Sequence, residues 1–128
     1  MEIHMKKPTS TIFGRMLFIT LMIPAALSLK DKRQVIKSLI TKIRQRFNVS
    51  IIEAGFHEQW QLSKIGIAFI GNQVSFLDAI EQEILKFAEE EYPIEITELT
   101  VNDFWNQSCK GWFLNVYLWY CFLDRDIL

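Results

Sequence analysis

Met16-Leu17-Phe18-Ile19-Thr20-Leu21-Met22-Ile23-Pro24, with Ser28-Leu29-Lys30-Asp31 close behind it, is the stretch that decides how this chain folds. Lys6, Lys7 and Arg15 precede the apolar run and Ala25-Ala26 follow it, the outline of a signal peptide with a short apolar centre. Thr20 interrupts that run, Pro24 ends it, and Ser28 followed three residues later by Asp31 has the spacing of a helix-starting capping box. A core strand leading at once into a helix accounts for all of these. The strand is expected over 17–23, with Ile19, Leu21 and Ile23 on one face and Phe18, Thr20 and Met22 on the other.

Downstream of Ser28, Val35, Ile36, Leu39, Ile40, Ile43 and Phe47 recur at helical spacing, and Asn48 is expected to end that helix. Val49 to Ala54 read as a second strand rich in β-branched residues, and Gly55 to Gln61 as a connection. Leu62 to Gly71 form a third strand, apolar enough to be central. Ser75 and Asp78 repeat the capping-box spacing, and Leu77, Ile80, Ile84, Phe87 and Ala88 mark a second amphipathic helix. Pro93 breaks it, and Ile94 to Val101 give a fourth strand. The order predicts an α+β fold, a ferredoxin-like βαββαβ sandwich with two helices on one face of a four-stranded antiparallel sheet. Three regions follow: a loose N-terminal extension over 1–15, ahead of an alternative start at Met16; the domain over 16–104; and an aromatic C-terminal extension over 105–128.

A chain of 128 residues is one domain by size, and half its residues are apolar, which excludes a disordered chain. Cys109 and Cys121 make no CxxC pair, so a zinc site or disulfide framework is not indicated, and reduced thiols in a cytoplasmic protein are expected. The run Trp112 to Leu123 is shorter than the roughly 20 residues a membrane helix needs. No membrane association, metal or cofactor is expected.

Charge is segregated although the chain is almost neutral. From Ser28 to Arg46 there are seven basic residues against Asp31 alone; from Asp78 to Asp103 there are nine acids against Lys86 alone. At about 100° per residue, Lys30, Arg33, Lys37 and Arg44 fall within about 60° of one another on the first helix, with Lys32 at its start. Such a row can follow phosphates, so these five are the candidate nucleic-acid-binding residues. The plainer alternative is that both charged faces are merely solvated and attract one another.

Segments of this chain resemble the YlxP-like family of small bacterial proteins, a domain of unknown function. The residues concerned are Ile23-Pro24 through Ser28-Leu29-Lys30-Asp31-Lys32-Arg33, then Arg46-Phe47-Asn48-Val49-Ser50, Glu53 and Trp60-Gln61. The resemblance covers about residues 16 to 104. It implies a ferredoxin-like fold and no established activity; family members are commonly encoded beside translation and ribosome-maturation factors, which points toward RNA. Both termini depart from the family pattern.

Other constellations in the chain are less complete. An RNA-recognition-motif surface would need a stacking aromatic where Ile67 stands. His57-Glu58 lacks a second histidine for a metal and any recognisable nucleophile for catalysis, His4 lying far off in the extension. No P-loop is present, and no small-molecule substrate is indicated. Seven of the 17 aromatics crowd into Trp105 to Phe122, a density that would be sticky if left on a surface. The expected function is a non-enzymatic module contacting RNA or the ribosome through the basic face of the first helix. The alternative is a protein-interaction or homodimerisation module using the open sheet face and the aromatic tail, with Trp60, Trp112 and Trp119 as partner-binding residues.

Overall fold

Alternation decides the centre of the molecule. Phe13–Met22 form a strand, β1, in which Leu17, Ile19 and Leu21 are almost fully buried on one face. The computed structural model describes residues 11–106. Within them the order continues with α1 (Leu29–Arg46), β2 (Ser50–Gly55), β3 (Leu62–Gly71), α2 (Val74–Glu91) and β4 (Glu95–Trp105). The sheet runs β2-β3-β1-β4 and every neighbouring pair is antiparallel. This is the expected ferredoxin-like arrangement.

Both helices cover the sheet face that carries Leu17, Ile19, Leu21, Ile51, Ile65, Ile67 and Phe69, and they add Ile36, Leu39, Ile43, Leu77, Ile84 and Ala88 to the same core. Close packing makes such positions costly to change: Leu17→Ala belongs to a class that loses about 2–5 kcal/mol. Among the described residues nothing covers the opposite face. By register it presents Met16 and Phe18 from β1, Ile52 from β2, Gly66, Ala68 and Ile70 from β3 and Phe104 from β4. The ring of Phe104 lies where a side chain at Gly14 would have to go, which is why glycine is needed there.

Several boundaries differ from expectation, most by a single residue. β1 begins at Phe13 rather than 17, because its partners reach that far: Arg15 faces Phe69 on one side and Asp103 on the other. β4 correspondingly runs on to Trp105. α1 ends at Arg46, before Asn48; Phe47 turns to extended backbone while its N–H still donates to Ile43 O. At the start of α1 the capping box forms largely as expected, with Ser28 Oγ accepting from the Asp31 N–H and Asp31 Oδ2 accepting from the Leu27 N–H. The second box does not form. α2 starts after Gln73, whose side chain caps nothing, and Asp78 points instead to a buried arginine.

Candidate nucleic-acid interface

The seven cations of the α1 segment go to three different places. Lys30, Arg33, Lys37 and Arg44 are exposed on one flank, as the helical spacing predicted. Lys30, Arg33 and Lys37 have no carboxylate within ion-pair distance among the described residues. Arg44 donates from Nη2 to the Ile51 carbonyl, 3.1 Å away, and so covers part of the β2 edge. Lys42 and Arg46 lie on the other flank against aromatic rings. The Lys42 Nζ sits 6.0 Å from the centre of Tyr92, and the Arg46 guanidinium 5.0 Å from that of Phe87. No ion pair joins α1 to the acidic α2 among the described residues.

Lys32 requires a correction. It is fully buried, so it cannot touch a phosphate. Its Nζ donates to the Phe56 carbonyl and lies 3.7 Å from Glu53 Oε2. Phe56 has a positive φ of 59°, so this bond holds the β2–β3 connection in a conformation that side chains seldom adopt. The physical reason was present in the sequence: Lys32, Ile36, Leu39 and Ile43 follow the i, i+4, i+7, i+11 spacing of one buried stripe.

Glu53, absent from the sequence-predicted site residues, is the junction of this region. Ser63 Oγ donates to its Oε2 at 2.7 Å, and His57 Nδ1 is hydrogen-bonded to its Oε1 at 3.0 Å. Burial acts most strongly on Glu53 and pushes its carboxyl up. The bonds from Ser63 and His57, with Lys32 nearby, together carry it below the ordinary carboxylate value. A bulge in the β2–β3 pairing falls directly after Glu53. The available signal was an acid sharing the strand face of Ile51, where an apolar residue belongs. His57 therefore pairs with Glu53 rather than with its neighbour Glu58.

Between the exposed flank of α1 and β2 lies a groove of about 450 Å³, lined by Arg33, Ile36, Lys37, Ile40, Thr41, Arg44 and Glu53. Three cations thus meet one carboxylate over an aliphatic floor. Trp60 is half exposed in the β2–β3 connection, outside this groove. Trp112 and Trp119 lie outside the described residues, as do Cys109 and Cys121. Among the described residues no group of three histidine, cysteine or acidic side chains could hold a metal ion, and no helix is long and apolar enough to cross a membrane.

Fold and surface together define a ferredoxin-like α+β protein with a cationic helix flank beside a sheet edge. The chain belongs to the family described as "Protein of unknown function (DUF503)", which matches residues 15–101. It is similar to the uncharacterized protein YlxP of Bacillus subtilis (strain 168), with 37% identity over 70 residues, 55% of this chain and 76% of that protein. A solved structure, the de novo designed protein Foldit4, aligns with 74% of this chain and 97% of its own at 9% identity and a TM-score of 0.43.

Proposed function

We propose that this protein is a non-enzymatic binding module that holds structured RNA against the outer flank of α1. Lys30, Arg33, Lys37 and Arg44 would meet phosphates, and Lys32 drops out of that set. The observation that supports the reading is that Lys30, Arg33 and Lys37 stand exposed together with no carboxylate partner among the described residues. Cations held that way gain free energy from the counterions that an RNA strand releases on binding.

Four phosphate contacts imply a log–log slope of affinity against salt of roughly −3 to −4. The test is fluorescence anisotropy with a labelled structured RNA from low to physiological salt, on the parent, the Arg33→Glu/Lys37→Glu variant and a Lys86→Glu control on α2. The helix-face variant should lose binding while the control keeps it. If the double variant binds as the parent does, the proposal is wrong.

A second reading, a protein-interaction or homodimerisation module, rests on the open sheet face, where Met16, Ile52, Ile70 and Phe104 remain exposed. It requires a mass by light scattering above that of one chain, falling when Ile52 and Ile70 become Glu; a single-chain mass in the parent dismisses the homodimer.

A further inference from the structure

Glu53 contributes an acidic group to a groove whose other charged lining residues are basic, and phosphate binding alone gives no reason for it. A carboxylate on the wall of a phosphate site repels its ligand. It is not fully consumed by its neighbours: a carboxylate offers about four acceptor positions. Ser63 and His57 occupy one on each oxygen, Lys32 Nζ lies 3.7 Å from Oε2, and the side chain, 23% exposed, lines the groove. Ile36 and Ile40 supply an aliphatic wall, and Arg33, Lys37 and Arg44 lie around it. A volume of about 450 Å³ falls in the range of roughly 300–1,000 Å³ that holds small ligands.

We infer that the α1–β2 groove takes one unpaired guanine of the bound RNA, its ring against Ile36 and Ile40, its phosphates on Arg33, Lys37 and Arg44, and its N1–H and 2-amino group donating to Glu53. This rests on the RNA-binding reading and adds base selection to it. An ionised carboxylate only accepts hydrogen bonds. Guanine alone among the four bases presents two adjacent donors on its Watson–Crick edge, matching the two oxygens. Adenine and cytosine set a ring acceptor beside their single amino group, and uracil flanks its one N–H with two carbonyls. Single-stranded bases are read on that edge.

The experiment measures wild-type affinity for uridine-rich hexanucleotides that carry guanine, inosine, N1-methylguanine, adenine or cytosine at one central position. The guanine oligomer should bind about tenfold tighter than the adenine, cytosine and all-uridine oligomers, the discrimination a bidentate base contact gives. Inosine, lacking the 2-amino group, should fall between them, and N1-methylguanine should bind like uridine. Glu53→Gln should abolish the guanine preference, the guanine oligomer then binding no tighter than the all-uridine one; the wild-type series stands alone if that variant does not fold. Equal affinity for all bases with an intact salt slope overturns the guanine pocket and leaves the RNA module standing. An absence of salt-dependent binding to every oligomer overturns the guanine pocket, and its absence for the structured RNA as well overturns both readings. Displacement of the guanine oligomer by guanosine monophosphate at equal concentration overturns RNA as the ligand's source.

Discussion

Arg15 and Lys32 are both buried cations, at opposite ends of the sheet, and they are satisfied in different ways. Arg15 lies among three carboxylates. Asp103 takes its Nε and Nη2 at 2.7 and 2.9 Å, Asp78 takes Nη1 at 2.7 Å, and Glu81 Oε2 is 3.7 Å from Nη1. The Asp103 bonds above all hold the guanidinium protonated more firmly than usual, against the opposing effect of burial. The arrangement ties β1, β4 and α2 together, and Glu81 Oε1 has no hydrogen-bond partner among the described residues. Lys32 instead has a carbonyl and a share of one carboxylate, and that carboxylate faces the groove as well. The contrast teaches where to look for function. Arg15 is enclosed by its partners and joins elements, whereas the partner of Lys32 retains acceptor capacity toward solvent beside three exposed cations.

Breaking the Arg15 cluster should have the largest effect on stability. Arg15→Ala leaves three carboxylates facing one another without a cation, an alteration that typically costs about 3–5 kcal/mol, measurable by urea unfolding. Lys32→Met should cost less, about 1–3 kcal/mol, because Glu53 keeps Ser63 and His57 and chiefly the Phe56 carbonyl loses its donor. Arg33→Ala, one residue further on, should move stability by less than about 0.5 kcal/mol. A Lys32 variant as damaging as the Arg15 variant, or an Arg33 variant as damaging as either, would erase the distinction drawn between the two regions.

Acid sharpens the comparison with a smaller effect. Asp103 is held below the ordinary carboxylate value mainly by its bonds to Arg15, and Glu53 is also low. A carboxyl with a depressed folded-state pKa favours the fold above its unfolded value and loses that contribution as pH falls through the folded one. Stability should therefore be level from pH 7 to about 5 and decline below about 4, as followed by urea midpoints. Arg15→Ala should flatten part of that decline. An unchanged acid slope in the variant would show that the Arg15–Asp103 pair is not its source.

Much of this was legible in the residues themselves. The alternation from Leu17 to Leu21, the cap at Ser28 and the helical spacing that follows identify β1 and α1, because burial and capping act over a few neighbouring residues. The exposed flank Lys30, Arg33, Lys37 and Arg44 was legible for the same reason, and Lys32 could have been excluded from it by its place on the Ile36–Leu39–Ile43 stripe. The failed capping box at Ser75 shows the limit. Asp78 had a local role available, but Arg15 lies 63 positions away in sequence and only 2.7 Å away in space.

The sequence by itself therefore determined the elements and the segregation of charge, which are local properties of single segments, and the order of the elements pointed to the antiparallel sandwich. Only the tertiary structure decided which charges meet. Glu53, Lys32, Ser63 and His57 come from two strands, a helix and a connection, and no local pattern states that β2 will lie beside α1. Long-range packing brings them together, and burial then makes a hydrogen bond there count for more than it would in water.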